Sequence, residues 1–89
     1  MKIRYHRNFR KSFIKSPKVI QQKIIDTTKI FTENPFDDKL RNHVLTWKFI
    51  WFRSFDVTWD WRVIFKELSD NRYEIVELIN VWTHSQLYW

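Results

Sequence analysis

Phe52-Arg53-Ser54-Phe55-Asp56-Val57-Thr58-Trp59-Asp60-Trp61-Arg62-Val63-Ile64-Phe65 holds two strand-like runs with a turn between them. Branched and aromatic residues fill both runs, and Trp59-Asp60 falls where a two-residue hairpin loop belongs. A type II′ loop wants positive φ at its first central residue, so Trp59 occupies a glycine-like position. With that loop, Thr58 pairs with Trp61, Val57 with Arg62, Phe55 with Ile64 and Arg53 with Lys66, and the last six share a face. This register gathers Arg53, Arg62 and Lys66 into a cationic cluster, which needs an anion or acid to offset it. It points Asp56 away from both arginines.

Working outward, strands are predicted at about residues 50–58, 61–68 and 73–81, an antiparallel meander. Near the N-terminus Ile3 and Tyr5 alternate with Lys2, Arg4 and His6, which fits a short first strand. Asn8 is placed to cap a helix over residues 9–15, with Phe9 and Phe13 on one side. Ser16-Pro17 reads as N-cap and first residue of a second helix, whose stripe is Ile20, Ile24, Thr27 and Phe31 and whose stop is Asn34-Pro35. Residues 36–46 read as a polar loop able to carry function. The expected fold is therefore α+β: an N-terminal strand, a helical hairpin, then a three-stranded antiparallel meander, forming one small sheet packed by the helices. A single domain spans residues 1–89.

Composition narrows the function. Lys and Arg number 16 against 10 acids, a net charge of +6, and residues 1–29 hold nine of those basic residues and a single acid. A basic segment of that kind fits a polyanionic partner such as nucleic acid. The absence of cysteine excludes disulfides and thiolate metal sites. Met1 leads into no apolar segment, so a cytoplasmic protein with no membrane association is expected. Six tryptophans and no glycine, where about six glycines would be usual, are the compositional oddity.

Three separated stretches resemble the RelE/ParE superfamily of toxins from bacterial type II toxin–antitoxin pairs, specifically the YafQ-like, RelE/StbE-type branch. Asn42-His43-Val44-Leu45-Thr46-Trp47-Lys48 is similar to that branch's loop segment. Residues 52–65 are similar to its hairpin, and Trp82-Thr83-His84-Ser85-Gln86-Leu87-Tyr88 to its C-terminal segment. The resemblance implies a RelE-like fold and an endoribonuclease, an mRNA interferase that cuts translated message in the ribosomal A site. It implies as partners a cognate antitoxin, the ribosome with its rRNA, and the mRNA substrate. No metal and no cofactor are expected. Such chemistry needs a base for the ribose 2′-OH, cations for the phosphorane and an acid for the leaving 5′-oxygen, and histidine suits both proton transfers.

By the same resemblance the catalytic candidates are His84 and His43 as the proton-transfer pair, Arg62 on the phosphate and Asp60 in the turn. Arg53, Lys48, Lys66 and Tyr88 are the candidate substrate contacts. Trp47, Trp51, Trp59 and Trp82 stand where the family carries glycine, which points to UGA codons that the source organism reads as glycine. Asp56 stands where some members carry histidine, so a three-histidine site does not carry over. Two alternatives remain open: a ParE-like inhibitor of DNA gyrase, favoured less by histidines at 43 and 84, and a non-catalytic basic module that binds RNA or the ribosome.

Overall fold

In the second helix and the strands, the side chains spaced for one apolar face meet in the main core. The computed structural model describes residues 1–45, 51–83 and 85. Its order is β1 (Lys2–Tyr5), α1 (Arg7–Lys15), α2 (Lys18–Glu33), a 3-10 turn (Asp38–Leu40), β2 (His43–Val44), β3 (Arg53–Asp56), β4 (Trp61–Glu67) and β5 (Ile75–Thr83). The sheet runs β1-β5-β4-β3-β2, with β1 parallel to β5 and the other pairs antiparallel. The α+β class and the helical hairpin are as expected, while the sheet has five strands because part of the polar loop, His43–Val44, pairs with β3.

Phe31 is the centre of the core. Its ring stacks on Phe55 at 4.6 Å and meets Phe65 edge-on at 4.8 Å, and none of the three is accessible to solvent. Burying each such ring contributes about 1.5–3 kcal/mol. Ile24, two stripe positions earlier, is also buried, and Val63, Val76, Leu78 and Val81 join it in the core. A smaller apolar cluster, Leu45 and Ile64 with Phe52, Ile79 and Trp82, lies beyond it.

The helix ends differ from expectation. His6, not Asn8, caps α1: its Nδ1 accepts the Asn8 N–H at 3.0 Å. Ser16 belongs to the end of α1, where its hydroxyl donates to Ser12 O, and Pro17 takes the N-cap of α2 without a side-chain bond. Three carbonyls at the corner converge on one side chain, since Gln21 Nε2 lies within 3.1 Å of Phe13 O, Ile14 O and Ser16 O.

The β3–β4 register also differs, by one residue. Arg53 lies opposite Phe65, Ser54 opposite Ile64, Phe55 opposite Val63 and Asp56 opposite Arg62. Thr58 is the cause. Its Oγ1 accepts from Asp60 N at 3.3 Å and Trp61 N at 3.1 Å, while Val57 N and Thr58 N both donate to Trp61 O. A hydroxyl-closed turn of this kind spans three residues, Thr58 to Asp60, and leaves none of them left-handed. Among the described residues only Arg41, Asp70, Asn71 and Tyr73 have positive φ. Trp59 therefore bears no glycine-like strain and stands 85% exposed at the tip; Trp51 is 78% exposed. Trp82 packs in the smaller cluster, and Trp47 lies outside the described residues.

The other hairpin, β4 to β5, turns through three left-handed residues, Asp70, Asn71 and Tyr73. Glu67 holds it together. Its carboxylate accepts the N–H groups of Ser69, Asn71 and Tyr73 and the Ser69 hydroxyl. Desolvation pushes the Glu67 carboxyl up, but these hydrogen bonds together outweigh it and hold its pKa below the ordinary value. Among the described residues no helix is long and apolar enough to cross a membrane.

A folded pKa below the unfolded one means stability that is full above the unfolded pKa, near 4.3 for Glu, and lost as pH falls through the folded value. Glu67→Gln is expected to cost about 1 kcal/mol at pH 7, the low end for a charged acceptor because water shares the carboxylate. Urea denaturation of both proteins from pH 7 to 2.5 checks this; the difference is expected to shrink below about pH 4.

Candidate functional site

The corrected register brings together residues that the two-residue loop would have separated. Residues directly opposite each other in a sheet share a face, so His43 with Ser54, and Asp56 with Arg62, occupy one face. The helices cover the opposite face through Phe55, Val63 and Phe65.

His43 has both ring nitrogens engaged. Nδ1 lies 2.6 Å from Arg41 O, an acceptor only, so Nδ1 carries the proton and donates. Nε2 is then the acceptor, and it faces Arg62 Nη1 at 3.3 Å and Ser54 Oγ at 3.4 Å. The imidazole thus presents a lone pair beside a guanidinium. Arg62 is buried, with its side chain 5% exposed, and its Nε sits 3.5 Å from Asp56 Oδ1 in an ion pair without hydrogen-bond geometry. The other oxygen, Asp56 Oδ2, pairs at 3.5 Å with Arg41 Nη1, whose side chain is 68% exposed. Two guanidiniums thus share one carboxylate.

The loop that delivers His43 is clamped by its neighbour. Asn42 Nδ2 donates to Pro35 O and to Tyr73 Oη, and Asn42 Oδ1 accepts from Arg53 Nε at 2.8 Å. Tyr73 is buried edge-on against Phe31 and Phe36, so the core fixes the loop. Arg41 completes the turn with φ 50 and ψ 48, a conformation that costs a residue with a Cβ about 1–2 kcal/mol.

The predicted site residues divide accordingly. His43 and Arg62 come together. Arg53 does not join them, because the one-residue shift places it on the helix side, where it holds Asn42. Lys66 is exposed opposite Glu77, about 13 Å along β4 from Arg62. The expected cluster of Arg53, Arg62 and Lys66 is therefore absent. Asp60 sits in the turn with its N–H on Thr58, and among the described residues its carboxylate makes no ion pair or hydrogen bond with His43 or Arg62. His84, Lys48 and Tyr88 lie outside the described residues.

Sequence reasoning missed Arg41, Ser54 and Asp56. Thr58, a residue that closes turns with its hydroxyl, was the signal that would have set the register and brought Asp56 and Ser54 into view. The demand of a strand arginine for an acid was a second signal for Asp56.

No protein-family model and no curated protein sequence matches the chain. Its backbone does match solved structures of toxins. YafQ from E. coli strain BL21(DE3) superposes with a TM-score of 0.78 at 20% identity, over 99% of this chain and 98% of that one. A chain of the E. coli DinJ-YafQ toxin-antitoxin complex gives 0.75 at 18% identity, covering 99% and 97%. The YoeB/ParE toxin from Agrobacterium tumefaciens gives 0.73 at 16%, covering 94% and 99%. The chain has the RelE/YafQ-like toxin fold.

Asp56→Ala removes the carboxylate from a buried guanidinium, for which about 3–5 kcal/mol of destabilisation is expected. Urea midpoints at constant slope measure it. Arg41→Ala, which removes only the exposed partner of the same carboxylate, is expected to change stability by less than about 1 kcal/mol.

Proposed function

We propose that this chain is the toxin of a toxin–antitoxin pair, a metal-independent endoribonuclease that enters the A site of the ribosome in the cytoplasm and cuts the mRNA being translated. The observation that carries this reading is His43 Nε2 held 3.3 Å from the buried Arg62 guanidinium on the sheet face that the helices leave uncovered. A base next to a fixed cation is what transfer at an RNA phosphate requires. His43 Nε2 takes the proton of the ribose 2′-OH, and the 2′-oxygen forms a bond to phosphorus. Arg62 stabilises the charge that grows on the phosphorane oxygens. The bond to the 5′-oxygen breaks as His84 supplies its proton, leaving a 2′,3′-cyclic phosphate and a 5′-hydroxyl. Tyr88 and Lys48 are assigned to the message, and Asp60 at the hairpin tip to orienting His84.

The neutralising partner has a surface of suitable chemistry. Between α1, α2 and β1 lies a groove of about 560 Å³ lined by Phe9, Phe13, Ile14, Ile24 and Ile25, with Arg10 and Lys29 beside them. Ile14 is 74% exposed. An apolar trough with basic flanks fits the apolar stripe of an acidic amphipathic helix, and we assign it to the antitoxin. The fold match to a chain of the DinJ-YafQ toxin-antitoxin complex supports an antitoxin as partner.

In a purified translation system the wild-type protein is expected to leave cut message, and His43→Ala to cut about 10²–10⁴-fold more slowly. Intact message with blocked DNA supercoiling would transfer the protein to the gyrase inhibitors, and intact message with retained ribosome binding to the non-catalytic modules. Ile25→Glu, on the partly exposed wall of the groove, is expected to keep cutting and to lose neutralisation by the co-expressed product of the adjacent gene. Growth rescue measures this.

A further inference from the structure

Arg41 is a long, charged side chain on a left-handed backbone, φ 50 and ψ 48, where glycine or asparagine would sit without strain. Residues held in such conformations concentrate where the side chain has work that the fold alone does not require. Among the described residues its guanidinium makes a single ion pair, Nη1 to Asp56 Oδ2 at 3.5 Å, and its side chain is 68% exposed. An exposed pair with one contact contributes little to stability, so that contact gives no account of why a strained arginine stands here. The carboxylate it touches is buried and spends its other oxygen on Arg62. The exposed cation is thus the outer member of a row, Arg41, Asp56, Arg62, whose inner member faces the His43 lone pair.

We propose that Arg41 is a phosphate-binding residue of this site, one that exchanges the Asp56 carboxylate for the RNA phosphate at the step being cut. The proposal rests on the nuclease reading. Three features favour the exchange. Arg62 is the buried member of the row, its side chain 5% exposed, and Arg41 the exposed one, so an incoming strand meets Arg41 before it reaches Arg62. A phosphodiester offers two non-bridging oxygens to the planar guanidinium fork, whereas Asp56 offers Arg41 one oxygen at 3.5 Å. The swap replaces one anion by another, and Asp56 stays behind as the counter-charge of Arg62. The Arg41 carbonyl meanwhile keeps the proton on His43 Nδ1, so the residue that receives the phosphate also sets the tautomer of the base.

Arg41→Gly separates these roles, because it keeps the carbonyl, relieves the left-handed strain and removes only the guanidinium. Two readouts are needed: the single-turnover rate on ribosome-bound message, and binding of an RNA oligonucleotide with a 2′-deoxy cut step across 50 to 200 mM salt. The expected result is a urea midpoint no lower than the wild type, cutting slowed about 10–100-fold, and a salt slope, log K against log salt, flatter by about 0.7. Arg41→Lys is expected to restore the slope and only part of the rate. An Arg41→Gly protein that cuts at the wild-type rate overturns the proposal and leaves the nuclease reading standing. One that cuts slowly with the wild-type salt slope overturns it too, since the side chain would then act on its protein neighbours. A wild type that leaves the message intact overturns both.

Discussion

The hydroxyl of Thr58 receives the N–H groups of Asp60 and Trp61, and the pairing of β3 on β4 follows from that. Closing the turn over three residues sets Asp56 against Arg62 and Ser54 against Ile64. A turn one residue shorter would have sent every β3 side chain to the opposite face relative to β4. Phe55 would then have left Phe31, and Asp56 would have left Arg62. The core and the face bearing Asp56 and Arg62 are therefore two results of one register, and neither can be adjusted without the other.

Strain is unevenly distributed in this chain. With no glycine available, every left-handed position is filled by a residue with a Cβ, and all four described ones lie either next to His43 or in the β4–β5 turn that anchors its loop. Tyr73 shows how such a position is held. Its ring is locked against Phe31, Phe36 and Phe65 while its hydroxyl accepts from Asn42. The Glu67 carboxylate gathers the N–H groups of the same turn. Core packing thus supplies the rigidity that a polar loop cannot, and it reaches His43 through one asparagine.

Periodicity carried most of the fold. The spacing of Ile20, Ile24 and Phe31 marked the face of α2 correctly because a helix buried on one side has few other ways to be written. Alternation found β1, β3, β4 and β5 for the same reason. What the pattern could not show was β2, since two residues in a polar stretch are too few to have a period. Nor could it show the register, which depends on whether a threonine side chain or a backbone group closes a turn. Of the site, His43 and Arg62 were legible as residue types in a family-like context. Arg41, Ser54 and Asp56 were not, because their part depends on which strand partner they face. The assignment of Asn8 as a cap failed for a similar reason: a histidine two residues earlier offers its ring nitrogen just as well.

The last of the described strands is also an inner one. β5 pairs with β4 on one side and with β1 on the other, so β1 waits some seventy residues for its partner as the polypeptide is made, from Lys2 to Ile75. The helical hairpin is complete by Glu33 and emerges long before the strand that positions its sheet. Local contacts of that kind form quickly, whereas pairing across such a separation is slow. The groove assigned to the neutralising partner is built mostly from those early helices, and the face bearing Arg62 becomes whole only late. Synthesis from one end therefore finishes the helices that wall the apolar groove before the face bearing Arg62 is whole.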